Sequence, residues 1–182
     1  YSKLLAWKNK PNHSTLEVSG ARQVGKTYLI QELFAKKYYP NRYIYIDCKK
    51  EDEIRDFCSG TANAEKIIEY ISLRKGQQIN EQTLLIFDEV QECPNILSSL
   101  KYFCQDYREV PVIVTGSMVR IKLQRETNKR GAKDNDKFLF PVGKINQMTV
   151  YPMTFDEFLM NSNQMLSDAA RNAYESRQPL ER

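Results

Sequence analysis

The chain has 182 residues, 41% hydrophobic and 27% charged, with a formal net charge of +4 at pH 7. That balance describes one ordinary globular domain with a sizeable core and excludes a fibrous or plainly disordered chain, while the charge is too mild to point to any particular partner. The longest apolar runs, residues 84–87 and 112–114, fall far short of the roughly 20 needed to span a bilayer. With no charged-then-apolar leader, the expectation is a cytoplasmic protein without membrane contact.

Leu4, Leu5 and Trp7 open the chain in a short helix that Pro11-Asn12 breaks. Residues 16–19 read as a strand, and 27–37 as a helix carrying Leu29, Ile30, Leu33 and Phe34 at i and i+4 spacing. "RYIYIDC", residues 42–48, alternates with period 2 and predicts a second strand. A helix follows over 64–75, with Gly76 as its stop. "TLLIFDE", residues 83–89, is a continuous apolar run and reads as a buried strand.

From 95 to 107 the spacing of Ile96, Leu97, Leu100, Phe103 and Cys104 predicts a helix, with Pro94 suited to its first turn. Two more strands are expected, at 110–117 and 145–153. Thr154 and Glu157 have capping-box spacing before a helix containing Phe155, Phe158 and Leu159. Strands that alternate with helices and are mostly apolar imply a parallel sheet covered on both faces, an α/β fold.

The four cysteines, Cys48, Cys58, Cys93 and Cys104, are widely spaced, and His13 is the single histidine. This argues against a Cys/His zinc cluster and a His-based nucleophilic triad, and fits free thiols in a reducing compartment. The chain opens at Tyr1 without methionine and closes in a polar, Arg-rich stretch. It therefore reads as a fragment, with a core over 1–160 and the start of a C-terminal extension over 161–182.

Between the first strand and its helix, "LEVSGARQVGKTYLI" fills the template G-x-x-x-x-G-K-[ST] with Gly20, Gly25, Lys26 and Thr27. The strand–loop–helix setting is what a phosphate-binding loop requires. Glycines permit a tight turn whose backbone N–H groups converge on phosphate oxygens, and the helix N-terminus adds a favourable dipole. Gly20, Ala21, Arg22, Gln23, Val24 and Gly25 would form the cradle, Lys26 would reach the β- and γ-phosphates, and Thr27 would hold Mg²⁺. The strand at 83–89 ends in Asp88-Glu89, at the carboxyl edge where open α/β sheets bind ligands. There Asp88 suits a role in holding Mg²⁺ and its waters, and Glu89 is placed to polarise an attacking water.

"GARQVGKT", "RYIYID", "LLIFDEVQECPN" and "VIVTGS" together resemble the AAA-type, additional-strand branch of P-loop ATPases. More narrowly they resemble the prokaryotic ATPases whose N-terminal AAA domain precedes an uncharacterised C-terminal domain. The matching residues are Asp88, Glu89, Val90 and Gln91, then Thr115, Gly116 and Ser117, then Pro152, Phe155, Glu157 and Phe158. This resemblance implies a three-layer P-loop NTPase fold with a five-stranded, mainly parallel sheet and helices on both faces. It implies ATP and Mg²⁺ as ligands, and a sensor hydroxyl at Thr115 or Ser117; such a hydroxyl serves equally well to satisfy a turn. The family's Gly-Arg pair before the last strand is matched here by Gly143-Lys144, where lysine lacks the bidentate fork of arginine. A catalytic arginine is unassigned, with Arg120, Arg125 and Arg130 as candidates.

Residues 120–137 hold seven Lys or Arg against three acidic side chains and read as a solvated insertion. Contact with nucleic-acid phosphates is the alternative, though no aromatic is interleaved for base stacking. Three functions follow: an ATPase driving a conformational change in an attached domain or partner, a slowly hydrolysing nucleotide switch, and, third, a small-molecule kinase. The first is the leading expectation, with a homo-oligomer as one setting for it. Adenine and guanine are not distinguished by these residues.

Overall fold

The computed structural model describes residues 1–10, 15–117 and 145–177, and the chain divides into two compact units, Tyr1–Val150 and Tyr151–Arg182. In chain order the larger unit runs α1 (Ser2–Lys8), β1 (Leu16–Ser19), α2, β2 (Tyr43–Asp47), α3 (Asp52–Ser59), α4 (Ala64–Lys75), β3 (Leu84–Asp88), α5 (Pro94–Asp106), β4 (Val112–Gly116) and β5 (Asn146–Thr149). Here α2 is a π-helix, Tyr28–Ala35, finished by an α-helical turn, Lys36–Tyr38. The strands form one sheet in the order β2-β3-β4-β1-β5. Every pairing is parallel.

Strand alternation sorts the apolar side chains onto the two faces. Ile44, Ile46, Leu85, Phe87, Val112 and Val114 join Ile54, Ile67, Ile71, Leu97 and Phe103 of α3, α4 and α5 in one buried cluster. Leu16, Val18, Leu84, Ile86, Ile113 and Met148 join Leu4 and Trp7 of α1 with Ile30 and Phe34 of α2 in the other. Each fully buried Leu, Ile or Phe contributes about 1.5–3 kcal/mol, so both layers are strongly held and the expected three-layer α/β fold is present. Among the described residues no helix is long and apolar enough to cross a membrane.

Local signals explain several boundaries. The Asn63 side chain accepts from the Lys66 amide at 3.0 Å to start α4, and Gly76 ends it at φ +63°. Pro94 occupies the first turn of α5. In the smaller unit, helices α6 (Phe155–Ser162) and α7 (Gln164–Ser176) follow one another. The expected capping box is formed: Thr154 accepts from the Glu157 amide at 3.2 Å, and Glu157 accepts from the Thr154 amide at 2.8 Å.

Other features depart from the sequence reading. The wider π turn of α2 buries Ile30, Phe34 and Ala35, with Leu29 packed against the same cluster, but leaves Leu33 exposed, so three of the four residues of the i, i+4 pattern face the core. Helices α3 and α7 were not anticipated, and the last strand ends at Thr149 rather than 153. The break at Pro11-Asn12, Gly143-Lys144, the three candidate arginines and the basic segment 120–137 lie outside the described residues.

Candidate functional site

Strand β1 delivers the chain to the carboxyl edge of the sheet between β4 and β5, with Ser19 in register with Gly116 on one side and Thr149 on the other. The next residue must be glycine. Gly20 has φ +152°, and a Cβ there would stand 2.3 Å from the Val150 carbonyl oxygen, far inside contact distance. The Val150 amide donates to the Ser19 carbonyl at 2.8 Å and fixes that approach. The loop then turns through Gln23 at φ +63° and Gly25 at φ +85°.

Lys26 follows at the root of α2. Its side chain is buried, and Nζ donates to the carbonyls of Gly20 at 3.0 Å and Ala21 at 2.6 Å. An ammonium is thereby held against the loop by neutral acceptors, with no carboxylate cancelling its charge in those contacts. That suits attraction of an anion.

Asp88 ends β3, only 4% exposed, and four donors converge on its carboxylate. Oδ2 accepts from the Thr27 hydroxyl at 2.6 Å and from the Tyr45 hydroxyl at 2.7 Å. Oδ1 accepts from the Glu89 amide at 2.9 Å and from the Thr115 hydroxyl. Burial alone pushes this carboxyl upward, but the bonds from Thr115, Thr27, Tyr45 and the Glu89 amide outweigh it and hold its pKa below the ordinary carboxylate value. The Tyr45 phenol moves the other way, raised by burial and by donation to the Asp88 charge.

Glu89 leaves the strand in the left-handed region, φ +50° and ψ +41°, which is uncommon for a side chain of this size. Its Oε2 accepts from Nε2 of the buried Gln91. A cleft of about 520 Å³ opens here, lined by Arg22, Gln23, Gly25, Lys26 and Thr27 of the loop and by Lys49, Glu89 and Gln91. Small-molecule sites commonly fall between about 300 and 1,000 Å³.

The predicted residues divide accordingly. Gly20, Ala21, Arg22, Gln23, Val24, Gly25, Lys26 and Thr27 form one loop, and Thr27, Asp88 and Thr115 meet directly. Glu89 stands at the cleft. Ser117 is buried but does not join the Asp88 cluster, and its hydroxyl has no hydrogen-bond partner among the described residues. Of the two sensor candidates, Thr115 is therefore the one at the carboxylate. Sequence reasoning missed Tyr45 and Lys49. For Tyr45 a signal existed in "RYIYID", whose alternation puts 43, 45 and 47 on one face, but the register that brings 45 near 88 is non-local.

The donor chemistry fits Mg²⁺. Thr27 and Asp88 offer hard oxygen atoms beside an ammonium, and Mg²⁺ is commonly held by one or two carboxylates together with phosphates and water. No cluster of three or more His, Cys, Asp or Glu able to hold a metal occurs among the described residues.

The sequence profile of a family described as AAA domain matches residues 12–159. No curated protein sequence matches the chain significantly. Among solved structures, it resembles the Walker-type ATPase PABY2304 of Pyrococcus abyssi, at 16% identity and a TM-score of 0.53, over 99% of this chain and 58% of that one. A DNA replication initiation factor matches at 16% identity and a TM-score of 0.42, over 99% of this chain and 50% of the other. PCH-2 of C. elegans matches at 14% and 0.40, over 93% and 44%. The chain thus spans about half the length of these proteins. At such identities the first likeness shows the fold alone.

Proposed function

Since the chain belongs to the AAA domain family, whose fold supports an ATP-binding P-loop function, we propose that it binds ATP with Mg²⁺ and hydrolyses it, driving a conformational change in an attached domain or partner. The observation that carries this reading is the contact of Thr27 with Asp88 at 2.6 Å, beside a cleft that Lys26 and Glu89 both line. Lys26 takes the β- and γ-phosphate oxygens, and the loop amides donate hydrogen bonds to the phosphate oxygens. Thr27 would ligate Mg²⁺ through its hydroxyl oxygen while donating its proton to Asp88, whose carboxylate would orient the ion's ligands, and the ion would screen the phosphate charge. Glu89 accepts the proton of the attacking water as its oxygen joins the γ-phosphorus and the bond to the bridging oxygen breaks, giving ADP and phosphate. Thr115 keeps the Asp88 carboxylate in place from the neighbouring strand.

Residues 1–160 form the ATPase core in this reading, and 161–182 begin an extension toward the C-terminal domain that receives the motion. A catalytic arginine comes from a neighbouring subunit, in the cytoplasm. The bond from Gln91 to Glu89 favours a second version, in which the base is restrained and the domain is a slowly hydrolysing switch.

Mg-ATP hydrolysis per chain, followed across a wide range of protein concentration, tests both. Turnover that rises with concentration and disappears in Glu89→Gln supports the ATPase with a shared arginine. Tight binding without turnover at any concentration supports the switch. Lys26→Ala should bind ATP much more weakly, and undiminished affinity would remove Lys26 from the site.

A further inference from the structure

We propose that Tyr45 is a positioning residue, one that fixes the orientation of the Asp88 carboxylate toward the bound divalent cation. The inference rests on the ATP and Mg²⁺ reading and names a member of that site on a strand which no motif marks.

Sheet register explains why a tyrosine is needed. Asp47, not Tyr45, is the neighbour of Asp88 across β2 and β3, while Tyr45 pairs with Ile86. Tyr45 is therefore one pleat back on the same face, and a side chain from there must reach forward by two residues, about 6–7 Å along the strand. A phenol spans that diagonal and places its hydroxyl 2.7 Å from Oδ2. The nearer Asp47 does not substitute for it. One of its oxygens accepts from the Lys49 amide at 3.0 Å, and the other pairs with Lys50 at 2.9 Å.

The bond count at Asp88 shows what Tyr45 does. An ionised carboxylate has about four acceptor positions, and Thr115, the Glu89 amide, Thr27 and Tyr45 take two on each oxygen. Three of those donors belong to β4, to the turn after β3 and to the phosphate loop. Tyr45 supplies the only restraint from the β2 side among the described residues. Without its hydroxyl, Oδ2 is held by Thr27 alone, and Thr27 is itself a cation ligand. The carboxylate is then free to pivot about its bonds to Thr115 and the amide, and a buried acceptor position loses its donor. Groups that orient a metal ligand in this way typically alter metal affinity by about 10- to 100-fold when removed.

Tyr45→Phe keeps the ring, which packs against the apolar cluster on the α1 and α2 side, and deletes only the hydroxyl. Binding of a fluorescent ATP analogue is measured in EDTA and across a Mg²⁺ titration, for the wild-type chain and the variant, with thermal unfolding as a check on folding. The expected result is an increase of about tenfold or more in the Mg²⁺ needed for half-maximal effect, with affinity in EDTA unchanged. A variant whose Mg²⁺ requirement equals that of wild type overturns the role of Tyr45 while leaving the ATP reading intact. Equal losses in EDTA and Mg²⁺ overturn it too, since they report general damage to the loop. If the wild type shows no Mg²⁺-dependent binding, the ATP reading fails and takes this inference with it.

Discussion

Gln91 donates a hydrogen bond from Nε2 to Oε2 of Glu89, so the carboxylate assigned as general base is held by the side chain two residues further on. The sequence spacing follows from the short 3₁₀ turn Val90–Glu92, which folds residue 91 back toward the cleft. A hydrogen bond to a charged group contributes about 1.5–3 kcal/mol. Gln91→Ala is expected to change kcat by about tenfold while ATP affinity stays within about twofold. A fall in kcat indicates that Gln91 aims the base, and a rise indicates that it restrains it. An unchanged kcat removes Gln91 from the mechanism.

Glu89 pairs function with backbone cost. At φ +50° a non-glycine residue carries about 1–3 kcal/mol of strain. Glu89→Gly should therefore unfold at a higher temperature than Glu89→Gln, although both lack the base. Two variants equally stable and equally inactive would show that the left-handed turn stores no energy here.

The two loop glycines should respond differently to a methyl group. Gly20→Ala pushes Cβ into the Val150 carbonyl, whereas Gly25→Ala meets nothing within 4 Å and has only its φ of +85° to contend with. Backbone strain of that kind costs about 1–3 kcal/mol. Gly20→Ala should be the more destabilising in urea unfolding, by clash added to strain. Equal losses would mean that the β5 end moves aside freely.

Alkaline pH should weaken the fold through its buried thiols. Burial pushes Cys58 up to about 12, and Cys48 is raised by its hydrogen bond with Cys93 and by burial. Above the unfolded thiol pKa of about 8.5, Cys58 keeps its proton in the folded chain and loses it in the unfolded one, so its contribution to stability falls as pH rises, while Cys93, lowered by its bond with Cys48, acts in the opposite sense. Tyr39 and Tyr45 are also raised and act in the same sense as Cys58 at higher pH. Melting temperature should decline from about pH 8.5 upward, and Cys58→Ala should make that decline shallower. An identical slope in the variant would show that the Cys58 thiol titrates freely.

The sheet was legible because β3 and β4 are built on continuous apolar runs, and the phosphate loop because glycines, lysine and threonine occur at fixed spacing. Helix α4 was read to the residue from Gly76 and the isoleucines before it. Helix α3 was not, because it meets the core chiefly through Ile54 and Cys58 amid charged residues, too few positions to show a period. Helix α7 buries only Ser167, so it has no apolar stripe to detect. Strand order, the π turn of α2 and the Tyr45 contact are products of non-local packing, which periodicity does not encode.

The sheet is mechanically uneven where it matters. Strand β1, the root of the phosphate loop, is laddered on both sides, each of its four residues being paired with β4 and with β5. β2 lies at the margin with β3 as its one neighbour. The root of the loop is thus tied through two ladders, and the rim that bears Tyr45 and Lys49 through one.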